Sequence, residues 1–260
     1  MIAWLIHGTL QMRFYLWLRG WVTGKPETFS PHGIPVWIPT SVDPALRYAL
    51  SRNWGYEEPE VRLARQHLLQ GMNVLELGGC LGIVSAIIRS RIGPTAFHLI
   101  VEANQDLTPI CRANASIGAN PESVEIVEAA VAYSHSPTVQ FQPGVSALQG
   151  QLSTNPQEGV ATPAVTLSQL AKRMPAGTFA MVCDIEGAEK GLILNEREVF
   201  SRVEILILEV HPHLFPEGAA DSSRLVEELE RRGLQLHESD SNVYCFKRVG
   251  ISLHTEAIGA

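Results

Sequence analysis

The sequence predicts an α/β fold in which a mostly parallel sheet carries helices on both faces. Three observations lead there. Short apolar runs alternate with amphipathic ones from residue 57 onward. Glycines close the amphipathic runs at Gly71, Gly93, Gly118 and Gly233. The first apolar run ends in the turn Gly78-Gly79-Cys80-Leu81-Gly82 and leads straight into a helical pattern.

The elements follow in order. Residues 57–70 read as an amphipathic helix stopped by Gly71, and residues 73–77 as a short apolar strand. Residues 80–91 form the next helix, ended by Gly93-Pro94, and residues 97–101 the second strand. Asp106 caps a helix reaching residue 117, with Gly118 behind it. Residues 124–131 are a third strand. The segment 134–163, rich in Ser, Pro, Gly and Gln, reads as a short hairpin with a mobile loop. Thr166 with Gln169 gives a capping-box signal. Residues 179–183 and 203–208 are strands four and five, and Asp221 caps a helix running to residue 232. Strands 234–237 and 243–246, joined by the short polar stretch 238–242, predict a closing antiparallel hairpin. The organisation is therefore an N-terminal helical and extended segment (1–54), one α/β domain (55–248) and a tail (249–260), without internal repeats.

Composition bounds the function. The 260 residues are 45% hydrophobic and 18% charged, enough to bury a core. A net charge of −7 argues against a nucleic-acid partner, because phosphate contact relies on Lys and Arg. Cys80, Cys111, Cys183 and Cys245 form no CxxC pair, which excludes a zinc or disulfide framework and suits the cytoplasm. Residues 1–22 carry Trp4, Phe14, Trp17 and Trp21, interrupted by Arg13 and Arg19. They lack the basic leader and cleavage site of a signal peptide and are too polar for a spanning helix. They suit a helix packed on the domain, one packed on a partner subunit in an oligomer, or one lying peripherally in a membrane interface.

Ligands of open α/β sheets bind at the carboxyl ends of the strands. Gly78, Gly79 and Gly82 let the chain turn tightly there, and the following helix offers free N–H groups. The dinucleotide pattern GxGxxG fails, since its first position falls on Leu77. Glu76 opposes a pyrophosphate but suits a ligand with an ammonium or sulfonium group, and S-adenosyl-L-methionine has both. Glu102 ends the second strand, where an acid can accept bonds from ribose hydroxyls. Strand four runs into Asp184, Glu186 and Glu189, and strand five into Glu209, His211 and His213. If a hydroxyl is methylated, a base must take its proton; His211 is the natural candidate, with Asp184 or Glu209 orienting it or acting instead. Glu189 and His213 read equally well as a helix cap and a surface group. Asp184, Glu209 and His211 also form a donor set that could hold a divalent cation, which the reading does not require.

The stretches Gly55-Tyr56-Glu57, 71–82, Val101-Glu102-Ala103-Asn104, 184–189 and 209–212 resemble the FkbM-type family of class I S-adenosylmethionine-dependent methyltransferases, over about residues 55–247. The resemblance implies a Rossmann-like sheet of seven strands in the order 3-2-1-4-5-7-6, with strand seven antiparallel. It implies O-methylation of a sugar, glycolipid or secondary metabolite, hence a small-molecule or glycan acceptor. Glu76, Gly78 and Gly82 would hold the methionine part and Glu102 the ribose. Gly79, Cys80, Asn104, Glu128 and Asp184 would complete the cofactor site, with Tyr56 and Glu57 in a lid-like segment. Asp184, Glu186, Glu209 and His211 would face the acceptor. Three positions depart from the family: Glu76 and Cys80 stand where Asp and Asn are usual, and Val182 where Lys is usual. N-methylation, a membrane-bound lipid-modifying enzyme and a non-catalytic adenosine-binding module are the alternative readings.

Overall fold

A computed structural model describes residues 2–144, 150–153, 155 and 157–250, with side chains from residue 9 onward. The tail from residue 251 and parts of the expected loop at 134–163 lie outside the described residues. The chain opens with α1 (Ile2–Thr23), β1 (Thr28–Phe29), β2 (Val36–Trp37) and α2 (Pro44–Ser51). There follow α3 (Glu58–His67), β3 (Val74–Leu77), α4 (Ile83–Ile92), β4 (His98–Glu102), α5 (Thr108–Ala115) and β5 (Val124–Glu128). Next come β6 (Ala130–Val131), β7 (Thr138–Gln142), β8 (Gln151–Leu152), β9 (Val160–Val165) and α6 (Leu167–Ala171). The chain ends with β10 (Phe179–Cys183), α7 (Glu189–Asn195), β11 (Val203–Glu209), α8 (Ala219–Arg231), β12 (Leu234–Asp240) and β13 (Val243–Arg248).

The central sheet has the order β12-β13-β11-β10-β3-β4-β5. Numbered as the seven predicted strands and read from the opposite edge, this is 3-2-1-4-5-7-6. β13 runs antiparallel to both β11 and β12, and the pairs from β11 to β5 are parallel. The fold is therefore a Rossmann-like α/β fold.

Successive strand residues face opposite sides, so each strand feeds two cores. Val74, Val182, Ile205 and Ile207 pack with Leu63, Ile83 and Ile87 of α3 and α4. Leu75, Leu77, Met181 and Leu206 pack on the other face with Leu170, Leu192, Leu225 and Leu229 of α6, α7 and α8. Burial on both faces explains why β3, β4 and β10 contain no exposed residue.

Four expectations change. Asp106 does not cap α5, which begins at Thr108 with Leu107 in the capping position and no side-chain cap bond. The single strand 124–131 breaks at Ala129, whose N–H turns to the Glu102 carbonyl at 3.0 Å, and β6 leaves the central sheet. The segment expected as a hairpin with a loop instead contributes β7, β8 and β9, which join β6 in a second sheet of order β6-β9-β7-β8. Asp221 is not the cap of α8. The helix begins at Ala219 after Gly218, and the Asp221 carboxylate accepts the Glu217 N–H at 3.1 Å and pairs with Lys190 at 2.8 Å.

The N-terminal segment shares the main core: Phe29, Ile38 and Leu50 are buried in one cluster with Val74 and Ile87. Asn114 clamps it. Its Nδ2 donates to the carbonyls of Trp37 and Leu81 at 2.9 and 2.8 Å, and its Oδ1 accepts the Trp37 N–H at 2.7 Å. Asp43 caps α2 by accepting the Ala45 N–H at 3.1 Å, with Pro44 at the first helical position. α1 leaves Phe14, Trp17 and Trp21 exposed. Among the described residues no helix is long and apolar enough to cross a membrane.

Candidate active site

β3, β4 and β10 end together, and a cleft of about 890 Å³, counting its open mouth, lies over their carboxyl ends. Its walls bring together Tyr56, Glu57, Gly78, Gly79, Cys80, Glu102, Asn104 and Asp184 from the expected set. Glu60, Phe141, Leu152 and Glu186 complete it. Glu57, Cys80 and Glu186 hold φ angles of 47°, 45° and 45°. Left-handed backbone at non-glycine residues is strained, and such strain collects at functional sites.

The glycine loop is fitted closely to its surroundings. A Cβ on Gly78 would stand 1.8 Å from the Asp184 carbonyl oxygen, so the loop and the β10 end approach as only glycine permits. Gly82 does not line the cleft; it caps α4 at φ 70°, and a Cβ there would meet the Cys111 carbonyl at 2.7 Å. Its role is helix packing, a correction to the cofactor contact expected of it.

Glu76 is a second correction. It is 2% exposed and absent from the cleft wall, with Oε1 accepting the Ser85 hydroxyl at 2.9 Å and Oε2 lying 2.8 Å from His98 Nε2. The alternation of β3 turns its side chain into the sheet's interior, where partners on α4 and β4 hold it. Glu128 is the third. It is exposed at the end of β5, outside the cleft, because the chain breaks at Ala129 and sends β6 inward instead.

Glu102 stands where the sequence places it. Although only 6% exposed, its carboxylate accepts the N–H groups of Cys80 and Asn104, each at 2.6 Å. Burial raises its proton affinity, against the lowering effect of these backbone bonds. The Asn104 carboxamide accepts the Asp106 N–H at 3.1 Å and so shapes the turn after β4. The Tyr56 hydroxyl lies 3.8 Å from Cys80 Sγ, tying the segment before α3 to the glycine loop.

The opposite end of the cleft is a cluster of acids around one imidazole. His211 Nδ1 is 2.8 Å from Glu189 Oε1, and Glu189 is fully buried. Nε2 faces Glu186 at 3.4 Å, Asp184 at 3.6 Å and Glu209 at 3.8 Å. Burial opposes a charge on His211, but the Glu189 bond and the surrounding carboxylates outweigh it and move its pKa up to about 9. Burial also raises Asp184, Glu186 and Glu209, and it brings Glu57 to about 7 with the help of repulsion from Glu209 and Glu186. Glu209 and His211 stand beside the cleft wall and are not in it. Among the described residues two groups offer ligand atoms within 4.8 Å of one another for a metal ion: Asp184, Glu209 and His211, and Glu57, Glu60 and Asp184.

Sequence reasoning missed Glu60 and undervalued Glu189. Glu60 shares the buried stripe of α3 with Leu63, Ala64 and His67, so an acid on an apolar helical face was its signal. Glu189, open between helix cap and surface charge, is in the interior as the partner of His211.

The sequence matches no protein-family model and no curated protein. Solved structures show distant likeness. Fibrillarin of Aeropyrum pernix, in complex with natively bound S-adenosyl-L-methionine, is 10% identical over 68% of this chain and 66% of its own, with a TM-score of 0.39. The precorrin-6y C5,15-methyltransferase of Geobacter metallireducens is 14% identical over 72% and 86%, with a TM-score of 0.41. A SAM-dependent methyltransferase of Aquifex aeolicus is 13% identical over 73% and 86%, with a TM-score of 0.38. The fold is defined here by the strand order itself.

Proposed function

We propose that the chain is an S-adenosylmethionine-dependent methyltransferase of FkbM type that methylates a hydroxyl of a sugar, glycolipid or secondary metabolite. One observation carries this reading. Among the described residues the cleft wall holds five carboxylates, from Glu57, Glu60, Glu102, Asp184 and Glu186, and no Lys, Arg or His. Such a wall opposes a pyrophosphate or a nucleic-acid backbone and favours a cationic adenosine ligand. Glu102, with its oxygens aligned by two backbone donors, suits ribose hydroxyls.

S-adenosylmethionine would supply the electrophilic methyl group when bound. The acceptor would enter between Asp184 and Glu186, and Asp184 would take the hydroxyl proton. In the empty cleft burial raises the proton affinity of these acids; a cationic ligand beside them favours their ionised forms and frees a base. Protonated His211, anchored by Glu189, would position the carboxylates of Asp184, Glu186 and Glu209, and the reaction so read needs no metal. The domain limits 55–248 and a cytoplasmic setting belong to the same proposal.

Calorimetry with S-adenosylmethionine against NAD tests the cofactor. Binding of NAD alone at millimolar concentration would overturn the proposal. Mass spectrometry of metabolites and glycans from cells with and without the gene, searched for the increment of one methylene, identifies the acceptor. A product methylated on nitrogen would favour the N-directed alternative.

A further inference from the structure

A buried carboxylate is costly unless it is paired, protonated or set against a cation. Glu76 accepts a hydrogen bond from the Ser85 hydroxyl and lies beside His98 Nε2 at 2.8 Å. Glu102 is hydrogen-bonded, by Cys80 and Asn104. Glu60 is 4% exposed, lines the cleft, and has neither a hydrogen bond nor an ion pair among the described residues. It sits three residues into α3 after Glu57, where a glutamate ordinarily reaches back to the capping N–H, yet no such bond forms. Its carboxylate is instead within 4.8 Å of ligand atoms of both Glu57 and Asp184.

We propose that Glu60, with Asp184 beside it, receives the α-ammonium group of the methyl donor's methionine moiety and so determines which adenosine ligand the cleft accepts. The inference rests on the cofactor reading above and transfers to Glu60 the role the sequence gave to Glu76. Placement supports it. β4 and β10 each pair directly with β3, so Glu102 and Asp184 flank the glycine loop on opposite sides, two strand spacings or roughly 10 Å apart. A ligand with ribose hydroxyls at one end and an ammonium at the other, joined by a short chain of single bonds, can bridge those ends. The groups around Glu60 are acids: Glu57 on its own helix, Asp184 after β10, Glu209 on β11 and Glu76 on β3. The start of α3 favours a negative charge on Glu60 through the helix dipole.

The test compares three ligands by calorimetry on the full chain and on Glu60→Gln. S-adenosylmethionine carries sulfonium and ammonium, S-adenosylhomocysteine only the ammonium, and 5′-methylthioadenosine neither. Glu60→Gln is expected to weaken the first two by roughly ten- to a hundredfold, the scale of a charge-assisted hydrogen bond, and the third by less than about twofold. Glu60→Asp, which keeps the charge but withdraws it, is expected to fall between. Thermal melting without ligand should show Glu60→Gln at least as stable as the parent, since a buried unpaired acid is removed. Equal losses for all three ligands, or none, would overturn the assignment while leaving the cofactor reading in place. Saturable Mn²⁺ binding lost in Glu60→Gln with S-adenosylmethionine affinity unchanged would make the triad a metal site and overturn it too. A parent protein that binds none of the three ligands overturns the cofactor reading itself.

Discussion

At the β4 end of the cleft Glu102 is buried but both its oxygens accept backbone N–H groups at 2.6 Å. At the β10 end Glu60 has no donor, and the buried Oδ1 of Asp184 accepts no hydrogen bond. The first arrangement is rigid before any ligand arrives, as suits hydroxyls that need fixed acceptors. The second remains electrically incomplete, as suits a cation and a group that must gain and lose a proton. One sheet edge thus holds acids of the same type in two opposite states, and the neighbours of each acid make the difference.

The contrast is broken most severely at Asp184. Asp184→Asn should reduce turnover of the identified acceptor by roughly 10²- to 10⁴-fold, the range of general-base effects, with cofactor affinity falling far less. Steady-state kinetics beside calorimetry separates the two, and unchanged turnover would remove Asp184 as base.

Glu102→Ala comes next. It should weaken S-adenosylmethionine and 5′-methylthioadenosine alike by about 1–3 kcal/mol, because both carry the ribose. A loss confined to the methionine-bearing ligand would place Glu102 at the wrong end of the cofactor.

A change of pH sharpens the comparison with a smaller effect. Glu57 has its pKa at about 7 and His211 at about 9, each above its ordinary value. Both groups therefore hold protons more tightly in the fold than when unfolded, and the stability this gives is fully present at low pH. It is lost as pH rises through about 7 for Glu57 and about 9 for His211. The melting temperature of the ligand-free protein should fall from about pH 6 to about pH 9. Over about pH 6 to 8 the affinity for S-adenosylmethionine should rise as acids ionise, while that for 5′-methylthioadenosine stays level. Parallel pH profiles for the two ligands would contradict an acidic end that meets the cationic half.

The smallest effect on ligand binding is expected at Glu76. Glu76→Gln should lower the melting temperature through loss of about 1–3 kcal/mol, since Ser85 and His98 lose a buried charged partner. Cofactor affinity should stay within about twofold, the margin of ordinary distant substitutions. A large affinity loss with unchanged melting would restore Glu76 to the site.

Much of this was legible. Strands 179–183 and 203–208, the Thr166 capping box and the closing hairpin follow from patterns local to a few residues. The capping box forms as read, with Gln169 donating its N–H to the Thr166 hydroxyl at 3.3 Å. β7, β8 and β9 were less legible because a small sheet at the surface, rich in Pro, Gly and Ser, lacks a strong alternation.

The sequence by itself determined the order of strands and helices, the glycine turn after β3 and the presence of acids at three strand ends. Those depend on period, on backbone freedom and on residue type, which are properties of short segments. Only the tertiary structure decided what each acid does. Glu76, Glu102 and Glu60 are the same side chain, and all three are buried. Their roles part because α4 and β4 supply partners to the first, the glycine loop and the turn after β4 each supply an N–H group to the second, and α3 brings the third to the cleft without any. Electrostatic role is set by what stands within a few ångströms, and that is decided by how the elements of the fold pack together.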